Sequence, residues 1–163
     1  MISSIIEQIF ERFRDEKDQG ILTLTHIYLL VGCSSPIWLT FGSKLTQPLL
    51  LVSGVITVGI GDSFASIGGT YFGKHKWYKS NKSIEGTLSS FVSQMCAYII
   101  LNYYFNGTNA QLTNVELLAY TMISLSSSLY ETFTKQIDNL MLPLFNYGSM
   151  ILIISKLHLK AVN

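Results

Sequence analysis

The sequence predicts an all-α fold, a polytopic membrane helix bundle of about five spans behind an N-terminal amphipathic helix. Three observations carry that expectation. Charged residues make up only 13% of the 163-residue chain and apolar ones 48%, against roughly 25% charged in ordinary soluble domains. Mean hydropathy is +0.36. The charges also cluster: eight of the 21 fall within residues 7–18, and uncharged windows then cover 19–43, 45–61, 86–115, 117–130 and 139–155. These windows approach or exceed the ~17–25 residues that cross a hydrocarbon core. A net charge of +1 offers no basic field for a nucleic acid.

The first element is residues 1–18. Ile2, Ile5, Ile6, Ile9, Phe10 and Phe13 recur at helical spacing, with Glu7, Gln8, Glu11, Arg12 and Asp15 largely between them. This is the pattern of an interfacial helix, lying on a bilayer or on a partner helix. Its charges follow its apolar residues, the reverse of a signal peptide. Span 1 covers residues 21–41 and is broken near its end by Pro36. Pro48 opens span 2, whose apolar run 49–60 continues into the glycine-rich segment 61–73. The loop 74–82 carries Lys74, Lys76, Lys79 and Lys82 and no acid. Spans 3, 4 and 5 follow at about 87–105, 115–133 and 140–157, so residues 19–163 read as one transmembrane domain.

The four-lysine loop faces the cytoplasm by the positive-inside rule. Arg12, Arg14, Lys17 and Lys135 agree with that orientation, while Lys156 and Lys160 do not. Cys33 and Cys96 lie inside apolar windows without a CxxC spacing and read as small packing residues. His26, within span 1, reads as a hydrogen-bonded interior residue, and His75 as a possible member of the lysine loop.

Polar groups inside membrane spans are expensive and therefore mark function. The densest set lies at 61–74. On a helix, Gly61, Ala65, Gly69 and Gly73 form a row of small residues open to close approach, and Asp62, Ser66, Thr70 and Lys74 form a polar row beside it. Six of the chain's 12 glycines fall within 54–73, so a partly unwound segment with exposed amides is the other geometry. Either one suits phosphate. The loop lysines are point charges on flexible stems, able to neutralise a polyphosphate. Glu131, Lys135 and Asp138 follow i, i+4, i+7 spacing and predict one helix face of acid, base, acid. Asp62, Glu85, Glu131 and Asp138 lie near one membrane face and can together hold a divalent cation beside a phosphate. The sequence contains no GxxxxGK[ST], HExxH or GxSxG run to suggest other chemistry.

Four runs carry a resemblance. They are DEKDQGILTLTHIYLLVGC at 15–33, GIGDSFAS at 59–66, KSIEGT at 82–87 and QIDNLMLPL at 136–144. With them the chain resembles the C-terminal part of the dolichol kinases, within a wider group of CTP-using polyprenol, phytol and diacylglycerol kinases. The resemblance implies CTP as phosphoryl donor, dolichol or another polyprenol as acceptor, a divalent cation (Mg²⁺ or Ca²⁺), and the endoplasmic reticulum membrane as location. It also implies that residues 58–73 bind CTP, with Asp62 as the central acid.

The nucleotide set expected from residues and resemblance together is Gly59, Gly61, Asp62, Ser63, Ser66, Gly69, Thr70, Gly73, Lys74, Lys79 and Lys82. Asp62, Lys82, Glu85 and Asp138 are the expected catalytic group. Asp62, Glu85 and Asp138 are the expected metal ligands, Asp62 either holding the metal or accepting the alcohol proton. The Lys-Lys pair common before Ser-x-Glu-Gly is Asn81-Lys82 here. The resemblance further implies upstream transmembrane helices in a longer chain. A lipid kinase for diacylglycerol or phytol, and a non-enzymatic membrane fragment binding partner helices through its glycine row, are the alternatives.

Overall fold

A computed structural model describes residues 24–41, 47–78, 80–107, 113–134 and 138–161, with the side chains of residues 24–26, 138 and 154–161 outside the description. The expected N-terminal amphipathic helix also lies outside the described residues. Those residues form α1 (Leu24–Thr40), the short α2 (Pro48–Leu51), a π-helical segment (Val55–Asp62), α3 (Ser63–Phe72), α4 (Ile84–Asn106), α5 (Asn114–Phe133) and α6 (Asp138–Ala161). Among the described residues there is no strand, only one isolated antiparallel bridge between Lys76 and Ser83.

Local chemistry explains the boundaries. Pro36 sits inside α1 and cannot donate to the Gly32 carbonyl one turn back. The Ser35 hydroxyl donates to that carbonyl instead, at 3.0 Å. Pro48 opens α2, where its missing N–H costs nothing. Ser83 caps α4 by accepting from the Gly86 N–H. Gly107, at φ +80°, ends it in a conformation that favours glycine. Thr113 and Glu116 form a reciprocal capping box at the start of α5.

Helix α4 is central, packed against α3, the π segment and α5, while α6 closes against α1, α5 and the π segment. Glycine permits close crossings. A Cβ on Gly54 would stand 2.8 Å from the Gly32 carbonyl oxygen of α1. The core comprises Leu49, Leu50, Ile56, Ala97, Tyr98, Tyr120, Ile123, Tyr147 and Met150, with the Tyr98 and Tyr120 rings stacked at 5.3 Å.

Beside that core the interior holds many polar side chains, and the outside is rich in large apolar ones. Ser90, Gln94, Asn102, Ser124, Ser127, Ser128, Glu131 and Asn146 are buried, whereas Leu30, Phe41, Leu88, Ile100, Leu118, Met122 and Leu152 are exposed. Soluble domains place these classes the other way round. Among the described residues one helix, α4, is long and apolar enough to cross a membrane, and only 28% of its apolar window is buried within the protein. Asn146 illustrates how the polar core is bound together: its side-chain amide donates to the Tyr98 hydroxyl at 2.6 Å and to the Ser53 carbonyl at 3.3 Å. Asn146→Ala should lower stability by about 1–2 kcal/mol, read as a reduced thermal midpoint in detergent; an unchanged midpoint would show that this network contributes nothing.

Candidate functional site

The π segment leads directly to the site. Runs of π-helix are rare and concentrate at functional positions. This one ends in Gly-Ile-Gly-Asp, and its glycine at 61 has a packing reason. A Cβ there would lie 2.5 Å from Gln94 Nε2, so a side chain at 61 would displace Gln94 where the segment closes on α4. Asp62 follows at the junction with α3. Ser66 and Thr70 continue its row one and two turns on, with Ala65 and Gly69 on the neighbouring row. Helix α3 stops at Phe72, and Gly73 leaves it with ψ 91°.

The lysine loop then folds back as a short hairpin. The Ile84 N–H donates to the His75 carbonyl at 2.8 Å, and the Trp77 N–H to the Lys82 carbonyl at 3.1 Å. Trp77 Nε1 donates to Thr87 Oγ1 at 3.0 Å, and Thr87 and Thr132 share a hydroxyl contact at 2.7 Å. The Ser80 hydroxyl donates to the Thr132 carbonyl, which seats the loop on the end of α5. Helices α3 and α4 meet where both are small: a Cβ on Gly86 would stand 2.9 Å from the Ala65 carbonyl oxygen and 3.3 Å from Gly69 Cα.

These elements enclose a cavity of about 360 Å³. Asp62, Ser66 and Thr70 form one wall, with Ala65, Gly69 and Gly73 beside them. Lys76, Asn81, Lys82 and Ser83 enter from the loop, Gly86 and Thr87 from α4, and Glu131 from α5. Lys82 Nζ bonds Glu131 Oε1 at 2.9 Å. The buried Glu131 also accepts from the Ser90 hydroxyl at 3.2 Å, and Ser90 in turn accepts from Gln94 Nε2 at 3.0 Å. Carboxylates, ammonium groups and hydroxyls around bare glycine backbone can bind an anion and handle a proton beside it. A second, apolar groove of about 780 Å³ runs between the π segment, α3 and α4, lined by Ile60, Phe64, Leu88, Val92, Ile100 and Leu101 among others.

Of the residues expected from sequence, Asp62, Ser66, Gly69, Thr70, Gly73 and Lys82 come together on the cavity wall. Gly61 lies behind it against Gln94. Gly59, Ser63 and Lys74 are exposed and do not line it. Lys74 leaves the polar row because α3 ends two residues before it. Lys79 and the Asp138 side chain lie outside the described residues.

Glu85 turns elsewhere. Its carboxylate accepts from the His75 backbone N–H and pairs with His75 Nδ1 at 2.7 Å, and it lines the apolar groove. His75 thus serves Glu85 rather than the lysine cluster. Among the described residues no three His, Cys, Asp or Glu side chains gather to hold a metal.

The acid, base, acid helix face is corrected. Helix α5 ends at Phe133, Thr134 is extended at φ −88° and ψ 132°, and a new helix starts at Asp138. Glu131 and Asp138 therefore lie on different helices, and Lys135 lies outside the described residues. Glu131 instead meets Lys82, 49 positions away in sequence. Asn81, Ser83, Gly86 and Thr87 also line the cavity, though they are not among the expected nucleotide, catalytic or metal residues. The run 82–87 that contains most of them is the signal that could have found them.

The sequence model of the cytidylyltransferase family matches residues 2–158. Among curated relatives, dolichol kinase of Homo sapiens is 40% identical over 141 residues, covering 82% of this chain and 26% of that protein. Dolichol kinase of Mus musculus is 38% identical over 148 residues, covering 86% and 27%. Dolichol kinase of Saccharomyces cerevisiae is 34% identical over 146 residues, covering 88% and 26%. The chain therefore spans about a quarter of the length of these relatives. No solved structure matches it.

Proposed function

The chain belongs to the cytidylyltransferase family, and from that premise we propose that it forms the CTP-binding, phosphoryl-transfer part of a dolichol kinase. The reaction moves the γ-phosphoryl group of CTP to the terminal hydroxyl of dolichol, giving dolichyl phosphate and CDP. The observation that carries this reading is the cavity itself: Asp62, two lysines and several hydroxyls around a glycine-lined wall, with an apolar groove between the same helices.

Phosphoryl transfer needs positioning and charge neutralisation more than covalent chemistry. Lys82 and Lys76 neutralise phosphate oxygens, and Ser66, Thr70, Ser83 and Thr87 supply hydroxyl donors. Gly69 and Gly73 let the polyphosphate approach the backbone. Lys74, exposed just beyond α3, adds to the positive field of the loop. Asp62 accepts the alcohol proton or holds the divalent cation. Its carboxylate suits that cation, because Mg²⁺ is commonly held by one or two carboxylates together with substrate phosphates. When bound, the cation supplies neutralisation of phosphate charge. The apolar groove receives the isoprenoid end of the acceptor.

In this reading residues 19–163 are a five-span domain in the endoplasmic reticulum membrane, with the lysine loop on the cytoplasmic side and residues 1–18 along the interface. Upstream transmembrane helices of a longer chain are its partners. The test is transfer of ³²P from [γ-³²P]CTP to dolichol by the purified chain in detergent, with ATP as alternative donor and diacylglycerol as alternative acceptor. CTP-dependent, dolichol-selective transfer is the expected result. CTP binding without transfer would assign the nucleotide site to this chain and its catalytic completion to upstream helices. Absence of CTP binding would overturn the reading.

A further inference from the structure

We propose that Glu131 is a positioning residue of the phosphate site, holding the Lys82 ammonium at the α5 wall of the cavity. The inference rests on the nucleotide reading above and assigns a role to a residue that the reading does not use. Three independent features support it.

Glu131 is 3% exposed, and a buried carboxylate persists only when paired and hydrogen-bonded. Both conditions are met, by Lys82 Nζ at 2.9 Å and by the Ser90 hydroxyl at 3.2 Å. The residue also lies in the last turn of α5, where the helix dipole disfavours an acid. Neither burial nor local electrostatics accounts for a carboxylate there, whereas the lysine does. Finally, the pair is asymmetric: the Lys82 side chain is 37% exposed against 4% for Glu131. The lysine side chain lines the cavity and stays partly open while its anchor is buried.

Lysine is a flexible point charge, and fixing it against a partner before the ligand arrives removes an ordering cost from binding. The Lys–Glu pair of protein kinases shows the same division of labour on an unrelated fold. Ser90 and Gln94 extend the support inward, because each donates toward the next group in the chain that ends on Glu131. Glu131 therefore acts through Lys82 and does not itself contact phosphate.

The experiment is lysine-resolved acetylation of the full chain in detergent, with acetic anhydride as reagent and CTP as the added probe, read by mass spectrometry. In the unaltered protein CTP should slow labelling of Lys82 at least fivefold. Without CTP, Glu131→Gln should raise Lys82 labelling severalfold while exposed Lys74 and Lys76 label as before, and CTP affinity should fall about five- to tenfold. Glu131→Asp, which keeps the charge on a shorter stem, should restore much of the slow labelling. A general packing defect would move all three lysines and would not be rescued by charge. Lys82 labelling at the unaltered rate in Glu131→Gln would overturn the positioning role and leave the nucleotide site standing. Failure of CTP to protect Lys82 in the unaltered protein would overturn both.

Discussion

Asp62→Asn is expected to reduce phosphoryl transfer roughly 100- to 10,000-fold, the range that a lost general base commands. The substitution keeps volume, removes the charge and replaces one acceptor oxygen with a donor NH2 group. Asp62 ends the π segment as the N-cap residue of α3 and makes no side-chain hydrogen bond that caps the helix, so losing the carboxylate does not strip α3 of its start. Membrane insertion and thermal midpoint should therefore stay close to those of the unaltered chain. CTP affinity separates the two roles open to Asp62. A base leaves affinity nearly intact when it is neutralised, whereas a carboxylate that would hold the divalent cation would weaken CTP binding when neutralised, and affinity would fall with rate. Retention of more than a tenth of the transfer rate would remove Asp62 from the chemistry altogether.

What the sequence made legible was local. Uncharged windows marked the helices, because each charge left in a bilayer is costly whatever its neighbours do. The polar row Asp62, Ser66, Thr70 and the small row Ala65, Gly69, Gly73 follow from helical period alone, and both line the cavity. Periodicity failed where a helix stopped: Lys74 shares the spacing of its row but follows the break at Gly73. The packing reason for Gly61 was equally hidden, since the Gln94 side chain that approaches it comes from another helix.

Direction was hidden as well. Glu85 is ten residues from His75 in sequence and bonded to it through the hairpin, and no spacing rule predicts that reversal. Pairing across 49 residues was least accessible, because Lys82 and Glu131 meet only after α4 and α5 have packed. Sequence offered Glu131 the nearer Lys135, and tertiary structure supplied a different lysine.

The seam between α3 and α4 sets up the second large effect. Gly86→Val should abolish CTP binding and lower the thermal midpoint, at an overpacking cost of about 1–3 kcal/mol. Its Cβ alone would stand 2.9 Å from the Ala65 carbonyl oxygen, 3.0 Å from Ser83 Oγ and 3.3 Å from Gly69 Cα. Two of these neighbours are backbone and cannot rotate away, and valine adds two further methyl groups. Relief requires α3 to move off α4, carrying Asp62, Ser66 and Thr70 away from Ser83 and Thr87 on the facing wall. Ser83 is under a second constraint, because its hydroxyl caps α4 by accepting from Gly86 N–H at 3.1 Å.

Gly86→Ala should show the same effects in smaller measure. Gly148 in α6 provides the contrast, since a Cβ there meets nothing within 4 Å. Gly148→Ala should leave CTP binding unchanged and add up to about 1 kcal/mol of stability through helix propensity. Thermal midpoints and CTP titrations of the three variants test the argument together. A Gly86→Val chain that melts and binds CTP like the unaltered protein would mean that the α3–α4 seam does not shape the nucleotide cavity.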